Sequence, residues 1–172
     1  LHIKELLEQD GIQPDARTFT SLIATVARKA SVVSGAHDPT LAFALVQEME
    51  SRGIQPTGMT YSALIDACGR CERPDLALKT LRSMLRTKQI RRRNGEKDGR
   101  KNEVGAWTNA INALGKAGRI ETAVRLFYSM GSFTKPNTVT CGCLMDSLLR
   151  HGRTSEMTDL LHYMKRERIA PT

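Results

Sequence analysis

An all-α solenoid built from stacked helix–turn–helix units is the fold the sequence predicts, and three observations predict it. The word GIQP stands at residues 11–14 and again at 53–56, each time closing one stretch and opening a similar one. Three apolar ladders then run down the chain in one phase. Phe19, Tyr61, Trp107 and Cys141 are 42, 46 and 34 residues apart; Met49, Met84, Met130 and Met164 are 35, 46 and 34 apart; Ala42, Ala77, Ala123 and Met157 repeat those last three spacings. Between the rungs the apolar residues follow a helical period, and no stretch alternates as a strand does. A period of about 35 residues marks units that bury their apolar faces only by stacking on neighbours.

The elements follow in order. Residues 1–15 read as the second-helix half of a preceding unit, and four units follow at 16–57, 58–103, 104–137 and 138–172. Because the chain opens inside a unit and shows no polar cap, it is expected to be a segment of a longer array. The first unit carries extra residues near 31–39, within SVVSGAHDP, and the second carries a basic insertion near 88–101. Insertions at turns and unit junctions leave the ladders intact, as loops tolerate changes in length. In the second unit Tyr61, Leu64, Ile65 and Cys68 form one apolar face. Gly69 and RCERPD are expected to interrupt it. Pro74 then suits the first turn of a second helix and Asp75 its positive end, with Leu76, Ala77, Leu81, Met84 and Leu85 as the new apolar face. In the third unit Ile111 and Leu114 precede a KAGR turn, and Ala123, Leu126, Phe127 and Met130 line the helix after it.

Composition narrows the partners. The net charge is +8, which favours a polyanion. Of that charge +5 sits in KQIRRRNGEKDGRK, residues 88–101, through Lys88, Arg91, Arg92, Arg93, Lys97, Arg100 and Lys101. Such a stretch is either a clamp on a nucleic-acid backbone, which gains affinity by releasing counterions, or a solvated loop. No apolar run approaches the length that spans a bilayer, so no membrane insertion is expected.

Catalytic and metal chemistry find little support in the residues. Cys68 and Cys71 form C-x-x-C, and Cys141 and Cys143 form C-x-C. A structural zinc site needs four ligands at one point, whereas these pairs lie two units apart in a fold where units touch only neighbours. Buried free thiols are the better account. The four histidines fall in no catalytic motif, and no glycine-rich phosphate loop is present. No cofactor or metal and no enzymatic activity are therefore expected.

At this point the residues carry a resemblance. VGAWTNAINALGKAGRIETAVRLFYSM at 104–130, TYSALIDACGR with LALKTLRSM in the second unit, and TFTSLI with LAFALVQEMESRGIQP in the first are similar to pentatricopeptide repeats. Tetratricopeptide repeats would show W-x2-L-G-x2-Y in the first helix, which is absent. The resemblance implies a right-handed superhelix that binds single-stranded RNA in mitochondria or chloroplasts, one base per repeat. It implies three site positions per repeat. The readers that follow the first-helix aromatic are Thr20, Ser62, Thr108 and Gly142. The closing readers are Thr57, Glu103 (or neighbouring Asn102), Asn137 and Thr172. The residues that pack on the base are Arg17, Met59, Gly105 and Val139. Thr108 with Asn137 resembles the family's adenine pair. Thr57 and Thr172 stand where Asp or Asn is usual, and Gly142 offers no side chain.

Two functions compete on this reading. One is single-stranded RNA binding in organellar RNA processing, stability or translation. The other is a scaffold or assembly role in a mitochondrial ribosome or other large organellar complex, holding protein and RNA by shape and charge.

Overall fold

The computed structural model describes residues 13–30, 38–93 and 103–170. Within them lie eight α-helices and no strand: α1 (Ala16–Ala30), α2 (Thr40–Ser51), α3 (Gly58–Arg70), α4 (Pro74–Arg93), α5 (Glu103–Lys116), α6 (Ile120–Met130), α7 (Thr138–Arg150) and α8 (Thr154–Arg166). They form four hairpins that stack in chain order. The predicted half unit at 1–15 lies largely outside the described residues, as do Thr172 and the segment 31–37.

The three described hairpin turns are made the same way. The residue before the turn arginine takes a positive φ, 54° at Glu72, 72° at Gly118 and 64° at Gly152. The arginine N–H then donates back to the helix just ended: Arg73 to Cys68 O at 2.9 Å, Arg119 to Leu114 O at 2.9 Å and Arg153 to Leu148 O at 3.0 Å. This satisfies carbonyls that a helix end leaves orphaned. Glycine takes the left-handed conformation at little cost, so Glu72 is the strained member of the set.

The aromatic, methionine and alanine ladders are the core. Phe19, Trp107 and Cys141, with Met49 and Met130 and with Ala42, Ala77 and Ala123, are all at most 2% exposed. Successive first helices α1, α3, α5 and α7 pack directly on one another. Among the described residues the second helices keep their Cα atoms more than 8 Å apart and meet through side chains such as Phe127 and Tyr163, ring centroids 5.3 Å apart. Glycine sets the closeness of the inner layer. A Cβ on Gly115 would lie 2.0 Å from Ser147 Oγ, and one on Gly105 would lie 2.8 Å from Ser62 Oγ.

Two expectations need correction. Gly69 does not end its helix: α3 runs through it to Arg70, and its bare Cα faces Ala113, whose Cβ would be 3.1 Å from an added methyl. The basic stretch does not begin as a loop either. Helix α4 continues through Lys88 to Arg93, placing Lys88, Arg91, Arg92 and Arg93 on helical backbone. Lys97, Arg100 and Lys101 lie outside the described residues.

Candidate nucleic-acid interface

The first helices share one frame. Thr57 and Asn137 are the N-caps of α3 and α7. Counting from them, Met59 and Val139 fall at the second helical position, Thr60 and Thr140 at the third, and Ser62 and Gly142 at the fifth. Positions two and five are three residues apart and therefore share a face, while position four, Tyr61 or Cys141, turns into the core. Asp15 begins the same frame at α1, accepting from Thr18 N–H at 2.7 Å and from Thr18 Oγ1 at 2.8 Å. That capping hydrogen bond from the Thr18 backbone holds the Asp15 carboxyl below its ordinary range.

Stacked helices with one frame bring these positions together. An open groove of about 690 Å³ is lined by Thr20, Met59, Ser62, Gly105, Thr108, Asn137 and Val139, with Ala24, Ala63, Asp66, Val104 and Asn109 between them. Met59 and Val139 are 55% and 63% exposed there, apolar surface held up to solvent in the groove. Asn109 Nδ2 donates to Ser62 O at 3.0 Å and to Ser62 Oγ at 3.2 Å, tying α5 to α3 beneath the groove floor.

The other sequence-predicted residues are placed differently. Arg17 is exposed and outside the groove lining. Gly142 is exposed, with nothing within 4 Å of a methyl placed on its Cα. Gly105 serves the α3–α5 contact as well as the groove. Glu103 is the first residue of α5, 7% exposed, and its carboxylate pairs with Lys88 Nζ at 2.5 Å. Arg91, Arg92 and Arg93 have helical backbone, and Asn102, Lys97, Arg100, Lys101 and Thr172 lie outside the described residues.

Sequence reasoning missed three sets of residues. Thr60 and Thr140, 1% and 0% exposed, reach across the repeat junctions through their hydroxyls to Thr20 and Thr108. Asp15 is the closing position of the half unit. A row of exposed cations, Arg28, Arg70, Lys116 and Arg150, stands eight residues after Thr20, Ser62, Thr108 and Gly142, at the far end of each first helix. That row was visible in the aligned repeats.

The cysteines are buried free thiols or nearly so, and Cys143 is half-buried. Burial pushes the Cys68 thiol up to about 12 and raises Cys71, Cys141 and Cys143 as well. Among the described residues no three His, Cys, Asp or Glu side chains are grouped to hold a metal.

Comparison with known proteins agrees with the helical-repeat fold. The family model described as a pentatricopeptide repeat domain matches residues 2–71 and 44–89, and that of the single repeat matches 105–133 and 139–169. The chain belongs to the pentatricopeptide repeat family. It is 26% identical over 149 residues to the Arabidopsis thaliana pentatricopeptide repeat-containing protein At3g09650, chloroplastic, covering 85% of this chain and 17% of that protein. The Arabidopsis relative At3g20730 is 26% identical over 140 residues, 81% of this chain and 22% of its own length. The chain thus spans about a fifth of the curated relatives it matches. Among solved structures, PPR10 in complex with an 18-nucleotide psaJ RNA element superposes with a TM-score of 0.72 at 21% identity, over 98% of this chain and 22% of that one. The repeat domain of Arabidopsis protein-only RNase P 1, in complex with tRNA, superposes with a TM-score of 0.67 at 12% identity, over 99% and 81%.

Proposed function

We propose that this array binds single-stranded RNA along the first-helix groove, in organellar RNA processing, stability or translation. One observation carries the reading: Thr20, Ser62 and Thr108, with Met59, Gly105 and Val139 and the cap Asn137, line a single groove. Exposed Met59 and Val139 give apolar faces for bases, and Thr20, Thr57, Ser62, Thr108 and Asn137 give hydrogen-bonding groups one repeat apart. The cation row Arg28, Arg70, Lys116 and Arg150 supplies phosphate contacts along one edge, and the basic stretch adds affinity without choosing sequence. The chloroplastic relative and the RNA complexes of the structural neighbours support the organelle and the ligand class.

The test is a titration of the chain against single-stranded RNA, single-stranded DNA and duplex RNA at low and physiological salt. Preference for single-stranded RNA that survives salt, and that favours adenine less in Asn137→Asp, is the expected result. Equal binding to all three polymers that vanishes with salt overturns base reading.

A second reading, a scaffold in a mitochondrial ribosome or similar complex, is favoured by one feature. The closing position of the second repeat, Glu103, is sequestered by Lys88 rather than offered to the groove. Loss of base preference with retained binding to organellar ribosomal particles would move the assignment there.

A further inference from the structure

We propose that Thr140 is a positioning residue that fixes the hydrogen-bond polarity of the Thr108–Asn137 pair, so that this repeat selects a base edge presenting a donor beside an acceptor. The proposal rests on the base-reading function above and concerns how one repeat of it chooses. Asn137 caps α7 through its side-chain oxygen, which accepts from Thr140 N–H at 2.9 Å and from Thr140 Oγ1 at 2.9 Å. A backbone N–H cannot accept, so the atom facing it is the oxygen and the amide orientation is assigned by the network. With Oδ1 turned into the cap, the amide leaves only its Nδ2 donor for a ligand.

Thr108 sits at the other end of the same chain of contacts. Its Oγ1 lies 2.7 Å from Thr140 Oγ1 and 2.8 Å from Val104 O. Two hydroxyl protons serve three acceptors: Val104 O, the other hydroxyl and Asn137 Oδ1. When Thr140 donates to Asn137, Thr108 donates to Thr140 or to Val104, and its lone pairs are left as acceptors. When Thr140 instead donates to Thr108, the amide keeps only the backbone bond. A ligand N–H placed on Thr108 competes with the second arrangement and so favours the first. The two readers then act as one unit, acceptor at Thr108 and donor at Asn137.

That polarity fits the pairing edge of adenine, where an amino group adjoins a ring nitrogen that accepts. It opposes guanine, whose carbonyl adjoins a ring N–H. At the first repeat the chain is Thr20, Thr60 and Thr57, with Thr20 Oγ1 at 2.8 Å and Thr57 Oγ1 at 3.1 Å from Thr60 Oγ1. A hydroxyl closes it there in place of an amide, and a hydroxyl rotates to donate or accept, so that junction tolerates either polarity. The junction between the second and third repeats has Ala106 in place of threonine and the Lys88-paired Glu103, and no such chain forms.

The experiment uses Thr140→Val, which keeps shape and removes the hydroxyl, with Thr140→Ser as the conservative rescue. Affinity is read for oligo-A and oligo-G RNA, and the Asn137 side-chain amide is followed by ¹⁵N relaxation in the RNA-free protein. A lost hydrogen bond to a reader predicts that Thr140→Val lowers the A-over-G preference about tenfold while Thr140→Ser retains it. The Asn137 amide is expected to be more mobile in Thr140→Val than in the wild type, because its Oδ1 keeps the bond from the residue-140 N–H and loses the one from the hydroxyl. A mobile amide in the wild type, or one unchanged in Thr140→Val, overturns the proposal whatever the RNA result. An unchanged A-over-G ratio in a folded Thr140→Val protein overturns it too. A wild type without base preference but with an amide that loosens in Thr140→Val overturns the base-reading function and leaves only a cap.

Discussion

Gly115→Ala tests whether glycine sets the spacing of the inner helices. The added Cβ would lie 2.0 Å from Ser147 Oγ and 2.7 Å from Ser147 Cβ. Rotating Ser147 removes the first overlap but gives up its hydrogen bond to Cys143 O at 2.8 Å, a loss of about 1 kcal/mol. The second overlap cannot rotate away, because Cβ is fixed to the backbone. Restoring ordinary contact from 2.7 Å requires α5 and α7 to part by roughly 0.7 Å, and such overpacking costs about 1–3 kcal/mol. Alanine returns up to about 1 kcal/mol of helix propensity. The net expectation is a loss of about 1–3 kcal/mol, a fall in Tm of about 2–12 °C for a chain of this length. The assay is thermal and urea unfolding followed by circular dichroism, with two controls. Gly142→Ala meets empty space and is expected to stabilise by about 0.5–1 kcal/mol. Combined with Ser147→Gly, the Gly115→Ala change should also turn stabilising. If Gly115→Ala stabilises as Gly142→Ala does, or if Ser147→Gly leaves its sign unchanged, close packing at this pair is refuted.

Further outcomes follow from the same geometry. Lys88→Met strands the Glu103 carboxylate in a nearly closed site and should cost about 3 kcal/mol in urea unfolding, with most of it recovered in Lys88→Met/Glu103→Gln. Gly142→Thr adds a hydroxyl at a position whose Cβ meets open space, so on the proposed function affinity for single-stranded RNA should rise while Tm is kept. The carboxyls of Asp15, Asp75, Glu121 and Glu156 are held below their ordinary values, Asp15 by the Thr18 N–H, Asp75 by Arg119, and both glutamates by Arg153. Depressed folded values mean that this stabilisation is complete above the ordinary carboxylate range, about 4, and is lost as pH falls through the folded values. Tm should therefore hold from neutrality to mild acid and fall in stronger acid, with a shallower fall in Asp15→Asn, which keeps the cap without the charge. At pH 8 an exposed-thiol reagent should reach half-buried Cys143 first and Cys68 last; equal rates for the two would contradict their placement.

What the sequence revealed and what it hid divide along a physical line. Phe19, Trp107, Met49 and Ala77 were legible as core because each repeats at a fixed phase, and repetition reports stacking directly. Thr20, Ser62 and Thr108 were named through the family resemblance and line one groove, whereas Gly142, named with them, does not. Gly69 misled because a glycine between an apolar face and a proline reads as a stop, while its role depends on Ala113, 44 residues away. The extension of α4 to Arg93 was hidden by a run of charge that resembles a loop. Thr60 and Thr140 were visible as letters, but their hydroxyls act on partners 40 and 32 residues distant, Thr20 and Thr108. Glu103 shows the same limit, since nothing local announces that Lys88 will reach it.

The contrast between tightly stacked first helices and separated second helices has a mechanical consequence. The inner column resists compression, because glycine has already brought its members to contact. The outer row is held across its gaps by ring edges and by exposed ion pairs, Arg119 with Asp75 and Arg153 with Glu121, which solvent screens. The array is thus stiff in length along one edge and soft in curvature along the other, like a leaf spring with one clamped face. Winding or unwinding changes the pitch of the coil while the spacing of the inner positions stays constant.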